Sequence, residues 1–174
     1  MKRDQVDQVL EQWEEERPDL DVSSLEIGSR ILRLSKHIRN SVKDALAPFR
    51  LDPWGFDVLA ALRREGEPFA MSPTELRRAT ILSSGAMTNR IDRLEHQGLV
   101  ERVPDPDDRR GVKVRLTSVG QQLIDEAVVS RLEAADQLIS HLTAQEQRTL
   151  ADLLRKLLLI IPLERERRQV PHAN

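Results

Sequence analysis

Ser83, Ser84, Gly85, Thr88, Asn89 and Arg90 stand at the start of a short segment with helical periodicity, and most of them are small or polar. Small residues at a helix N-terminus let the backbone approach a phosphate, and the N-terminus itself attracts anions. Asn and Arg are the side chains best shaped for bidentate contacts to adenine and guanine edges. Arg93 follows one turn later. Arg109 and Arg110 lie in a charged, turn-rich stretch, Pro104-Asp105-Pro106-Asp107-Asp108-Arg109-Arg110-Gly111, with Arg77, Arg78 and Lys113 on neighbouring segments. A basic loop beside a base-reading helix reaches phosphate or the adjacent minor groove, where arginine gains from the negative potential of narrow A·T tracts. The chemistry these residues suit is recognition of double-stranded DNA.

Other chemistries find little support. The chain has no cysteine, which removes disulfides, zinc ribbons and thiol sensing. His37, His96, His141 and His172 are scattered without metal-ligand spacing. There is no Gly-rich phosphate loop and no H-E-x-x-H, so neither an enzyme nor a cofactor is expected. The net charge of -2 and a pI near 6.1 do not advertise DNA binding, so any affinity must come from a local basic surface. No apolar run approaches the roughly 20 residues of a membrane span. The polar start, Met1-Lys2-Arg3-Asp4-Gln5, does not resemble a secretory signal, and a cytoplasmic protein is expected.

The elements that must position these residues are legible in the periodicity. Asp4 to Glu16 reads as a helix with Val6, Val9, Leu10 and Trp13 on one face, ended by Pro18. A long helix from about Ser23 to Ala47 carries the stripe Ile27, Ile31, Leu34, Ile38, Val42 and Ala45, and Pro48 stops it. Pro53 suits the first turn of a third helix bearing Trp54, Val58, Leu59 and Leu62. Ser72-Pro73-Thr74-Glu75 is a capping box that opens a short helix ending near Ala79. After a brief turn, a helix from Ser83 or Ser84 carries Met87, Ile91 and Leu94 and closes at Gly98. The period then changes to that of strands, at Leu99–Val103 and Val112–Leu116, around the charged tip. Thr117 caps a helix with Leu123, Ala127, Val128, Leu132, Ala135 and Leu138. Thr143 and Glu146 open a last one with Leu150, Leu153, Leu154, Leu157, Leu158 and Ile161.

Two short helices, a tight turn and a hairpin with a charged tip follow the order of a winged helix-turn-helix. The expected fold is mainly α with a small β-hairpin wing. N-terminal helices (1–47) would cap a ligand and support a dimer, and 48–117 would be the DNA-binding region. C-terminal dimerisation helices (118–163) and a flexible tail (164–174) complete the chain. In this arrangement the second helix of the motif enters the major groove. The competing reading is a winged-helix protein-interaction module without direct DNA binding, which would lack salt-sensitive affinity for DNA.

Asp108-Arg109-Arg110-Gly111-Val112-Lys113-Val114-Arg115-Leu116-Thr117 matches D-x-R-x-x-x-V-x-L-T, the wing pattern of the MarR family of transcription regulators, at every fixed position. Gly98-Leu99-Val100-Glu101-Arg102 is similar to that family's first wing strand, and the resemblance runs from about Ile27 to Ile161. It implies a homodimer on a palindromic operator, with the two recognition helices about one DNA turn apart. By the same resemblance Asp108 orients the wing by pairing with an arginine, and Arg110 enters the minor groove.

The helix at Asp4 to Glu16 is an extension that resembles the urate-responsive (PecS-like) and trans-aconitate-responsive (TamR-like) branch. Trp13-x-x-x-Arg17-Pro18-Asp19-Leu20-Asp21, Phe56-Asp57-Val58-Leu59 and Gly85-x-Met87-Thr88-Asn89-Arg90-Ile91-Asp92-Arg93-Leu94 resemble the second group in particular. This resemblance implies a small anionic effector, urate, trans-aconitate or a related molecule, and places its response set on Trp13, Asp57, Arg64 and Arg90. A planar or carboxylate-rich anion would stack on Trp13 and pair with arginine. The plainer alternatives are that Trp13 only docks its helix and that Asp57 and Arg64 are ordinary exposed helix charges.

Overall fold

The computed structural model describes residues 3–80, 84–106, 108 and 110–160, without the side chains of 84–86. The chain forms two compact units, Met1–Ala134 and Ala135–Asn174.

In the first unit, α1 (Gln5–Glu16) begins on Asp4, whose side chain accepts from the Val6 and Asp7 backbone N–H groups while Asp7 returns the bond to the Asp4 N–H. This capping box satisfies donors that a helix start otherwise leaves open. Arg30 of α2 (Ser23–Leu46) reaches back to Asp4 at 2.9 Å and to Asp7 at 2.5 Å, tying α1 to α2. α3 (Pro53–Glu65) has Pro53 in its first turn and Asp52 as its cap, with Asp52 Oδ1 accepting from Gly55 N–H at 2.9 Å. α4 (Pro73–Ala79) opens on the expected Ser72–Glu75 capping box. α5 (Ser84–His96) ends before Gly98, whose φ of 71° lies in the left-handed region that glycine adopts without steric cost.

The hairpin is β2 (Val100–Pro104) with β3 (Val112–Leu116), in the register Val100↔Leu116 through Pro104↔Val112. A third strand, β1 (Ala70–Met71), pairs antiparallel with the free edge of β3 to give the order β1-β3-β2. The sequence carries no signal for a strand at 70–71. Two residues carry no alternation to read, and their pairing with Arg115 and Val114 is purely tertiary. Leu46, Val58, Leu59, Leu62, Leu76, Met87, Ile91, Leu94, Val100, Val114 and Ile124 form one buried core, drawn from every element of the motif.

α6 (Ser118–Ile139) starts where Thr117 Oγ1 accepts from Gly120 N–H at 3.0 Å and donates to the Gly98 carbonyl at 2.7 Å. The Leu99 carbonyl lies so close to Gly120 that a Cβ there would stand 2.0 Å from it. Glycine is therefore required for α6 to cross the wing's root. In the second unit, α7 (Ala144–Ile160) opens on Thr143, whose N–H donates to Glu146 while Glu146 N–H donates to the Thr143 hydroxyl.

Several apolar stripes read from the sequence are exposed among the described residues. Ile27, Ile31, Leu34 and Ile38 of α2 are exposed, as are Leu132 of α6 and Leu150, Leu153, Leu154, Leu157 and Leu158 of α7. Contiguous apolar surface of this kind marks an interaction site.

Gly120→Ala is expected to destabilise the protein by about 1–3 kcal/mol, the usual range for forced overpacking, because the Leu99 carbonyl is backbone and must shift the strand to make room. A urea midpoint unchanged from the parent protein would refute this.

Candidate nucleic-acid interface and effector site

Met87, Ile91 and Leu94 recur at helical spacing and are buried, so they decide which face of α5 points outward. Thr88, Asn89, Asp92 and Arg93 are exposed as a result. Thr88 and Asn89 therefore project from the face of α5 opposite its buried stripe. Ser84 and Gly85 lie in the first turn of α5, but their side-chain surroundings, like Ser83 and Arg109 altogether, fall outside the described residues. In the wing, Arg110 is exposed at the tip. Asp108 Oδ1 accepts from the Arg110 backbone N–H at 2.9 Å, and the Asp108 carbonyl accepts from Gly111 N–H at 2.8 Å. Among the described residues Asp108 shapes the tip through these backbone hydrogen bonds, and a pair with Arg109 lies outside the described residues.

The wing is tied to the recognition helix by a residue the sequence reading did not single out. Arg102 of β2 forms ion pairs with Asp92 and Glu95 of α5, and its backbone N–H donates to Glu95 at 3.1 Å. Nothing in the sequence distinguishes this triad from other surface charges, since its members are seven and ten residues apart across a change of structure.

Arg90 behaves differently from its neighbours on α5. Its side chain is half-buried and turns toward α3, with the guanidinium carbon 5.2 Å from the centre of the Trp54 ring. Its Nη1 is buried and has no hydrogen-bond partner among the described residues. Asp57, one turn beyond Trp54, feels the positive charges of Arg64, Arg131 and Arg90. Asp57 is exposed by surface area, yet partial desolvation by the surrounding protein raises its carboxyl above its ordinary 3.8, and the three arginines oppose that shift without cancelling it. Three of the four residues assigned to an effector response are thereby within electrostatic reach of one another. The fourth, Trp13, is 44% exposed on α1 and has no hydrogen bond from its ring, ion pair or ring contact among the described residues. Trp54 and Arg131 join the cluster although the sequence reading assigned them no role. Trp54 was legible as a buried-face residue of α3, whereas Arg131 comes from α6 and no local signal brings it there.

These features have relatives. Residues 51–111 match the MarR family. The transcriptional regulator PecS of Dickeya dadantii is 35% identical over 150 residues, covering 86% of this chain and 90% of PecS. The chain belongs to the MarR family. It is a DNA-binding transcription regulator with the winged helix-turn-helix fold, not an enzyme. A mutant MarR from Escherichia coli complexed with operator DNA superposes with a TM-score of 0.69 at 30% identity, covering 80% of this chain and 99% of that one. BpsR of Bordetella bronchiseptica, whose DNA binding is regulated by 6-hydroxynicotinic acid, has a TM-score of 0.66 at 28% identity, covering 75% of this chain and 91% of BpsR. No helix of the described residues is long and apolar enough to cross a membrane.

The raised pKa of Asp57 in this MarR-family protein has a stability consequence. A carboxyl that resists ionisation when folded contributes stability that is present below its unfolded pKa and lost as pH rises through the folded value. Asp57→Asn removes the group that must ionise. The variant is expected to match the parent protein near pH 3 and to exceed it at pH 7 in urea midpoint. A difference independent of pH would exclude desolvation of Asp57 as the cause.

On the outward face, Asn89→Ala is expected to cost about 1–3 kcal/mol of operator affinity and to relax preference at one base position. Arg110→Ala is expected to weaken binding to all sequences and to reduce the salt slope by about one, as loss of a phosphate contact does. Anisotropy titrations with operator and scrambled duplexes check both, and full affinity in Arg110→Ala would remove the wing from the interface.

Proposed function

We propose that the protein is a ligand-responsive repressor that binds a palindromic operator as a homodimer and is released by a small anion. The observation that carries this reading is the two-sided character of α5. Thr88 and Asn89 face outward, while Arg90 on the same turn faces Trp54 and Asp57 with a buried donor that lacks an acceptor among the described residues. A buried, unmade hydrogen bond to a charged group is costly, and an anionic oxygen placed there would relieve it. The effector site assigned to Trp13, Asp57, Arg64 and Arg90 is extended by Arg131. The DNA contacts are assigned to Ser83, Ser84, Gly85, Thr88, Asn89, Arg90, Arg93, Asp108, Arg109 and Arg110. Arg90 belongs to both sets, and that double membership is the coupling. An anion that draws on Arg90 acts directly on the recognition helix, and it releases DNA only if it binds the DNA-incompetent state more tightly. PecS is among the relatives, and BpsR responds to a small heteroaromatic acid, which supports an effector of the urate or trans-aconitate kind. The uncovered stripes on α2, α6 and α7 support the homodimer.

The test is fluorescence anisotropy on the duplex upstream of the protein's own gene, first across salt and then with urate and trans-aconitate titrated into the complex. Several phosphate contacts predict a loss of orders of magnitude in affinity between about 50 and 200 mM salt. Release by either anion, blunted in Arg90→Ala, is the expected result. A complex that neither anion disturbs would discard this effector class. No binding to any promoter fragment at low salt would favour a winged-helix protein-interaction module.

A further inference from the structure

The residue that holds the recognition helix in register lies outside that helix. Arg90 and Arg93, one turn apart on α5, both direct their guanidinium groups to the ring of Trp54, at 5.2 and 5.8 Å from its centre. Trp54 sits in the first turn of α3 and is half-buried against the core. Arg93 also lies 3.8 Å from Asp52, the residue that caps α3. Between these contacts the two helices approach closely. A Cβ added to Gly55 would stand 3.6 Å from the Leu94 side chain and 3.3 Å from Asp52 Oδ1. The apolar side of α5 thus has a seat on Gly55, and the flank beside it carries two cations that share one indole.

We infer that Trp54 is a positioning residue for DNA reading, which sets the rotation of α5 about its own axis by stacking Arg90 and Arg93. Apolar packing of Met87, Ile91 and Leu94 tells the helix which side is inward, but non-directional contacts tolerate small rotations. Two cation–π contacts from one flank remove that freedom. The lever is short: a rotation of about 10° carries a side-chain tip at the 5–6 Å outer radius of a helix through about 1 Å. That displacement spoils a bidentate contact from Asn89. Stacking also keeps Arg90 half-buried, while Arg93, with 65% of its side chain exposed, stays open to phosphate. Without the indole, Arg90 loses the ring that holds it inward and turns outward, where it favours any duplex equally. The function of the stack is therefore discrimination rather than affinity. This inference depends on DNA binding by α5 and not on the identity or existence of an effector.

The experiment compares Trp54→Phe and Trp54→Leu, which respectively keep and remove the aromatic face while both keep apolar bulk. Anisotropy is measured with operator and with scrambled duplex across salt. Trp54→Leu is expected to lose about tenfold in operator affinity, the scale of two partly desolvated cation–π contacts. Its affinity for scrambled duplex should not fall, and its salt slope should steepen by up to about one per released arginine. Trp54→Phe should restore most of the ratio of operator to scrambled affinity. An unchanged ratio in Trp54→Leu, or a Trp54→Phe variant as poor as Trp54→Leu, would overturn the inference. Should Trp54→Leu fail to fold, the Trp13→Phe protein leaves Trp54 as its single tryptophan. Adding Arg90→Ala to it should then raise acrylamide quenching of Trp54, and an unchanged quenching constant would overturn the stack.

Discussion

Burial of one side of the recognition helix is the constraint on which the rest of this structure depends. Met87, Ile91 and Leu94 leave water against a core supplied by α3, α4, the sheet and α6. Each such side chain contributes roughly 1.5–3 kcal/mol when fully buried. Because the helical period is 3.6, that commitment determines the direction of every other side chain on α5. Thr88 and Asn89 are driven outward, and Arg90 is left at the boundary, where a long side chain can keep its stem on apolar surface and take its charge inward or outward.

Charge then refines what apolar burial leaves loose. Arg102 binds Asp92 and Glu95, so an ion-pair triad joins the wing strand to the recognition helix. Trp54 receives Arg90 and Arg93 on the opposite flank. Most of these groups are partly exposed, and single surface ion pairs are worth little in stability. Their value lies in orientation, since several weak directional contacts around one helix fix its rotation without a large energetic commitment. A regulator that must release DNA is served by such an arrangement. A position held by weak contacts can be changed by a ligand whose differential affinity is only a few kcal/mol.

The Asp57 cluster applies the same logic further along the same face of α3. Trp54 and Asp57 are three residues apart, so one helical face presents an aromatic ring and a carboxylate to the same arginine. Arg64 continues that face and Arg131 closes it from α6. The carboxylate is raised by desolvation despite three cations around it, which indicates charges that are near but not in contact.

Much of this protein was legible without coordinates. Helix starts at Asp4, Ser72 and Thr143, the proline at the head of α3, the glycine after α5 and the alternation of Val112–Leu116 are local signals. Each is decided by hydrogen bonds or backbone sterics within a few residues, and each appears where the sequence placed it. The D-x-R-x-x-x-V-x-L-T wing made the family readable for the same reason. What tertiary structure alone decided was whatever depends on two distant segments meeting. β1 exists only because β3 offers it an edge, and Gly120 is needed only because the Leu99 carbonyl passes above it. Arg102, Trp54 and Arg131 gained their partners from elements as far as 74 positions away, counting from Asp57 to Arg131. The sequence also carried Arg90 as a base reader and as an effector ligand with equal ease, because a guanidinium on a long stem reaches either side of a helix. Packing against Trp54 turned it inward, since an indole face and a nearby carboxylate stabilise a cation that is partly withdrawn from water.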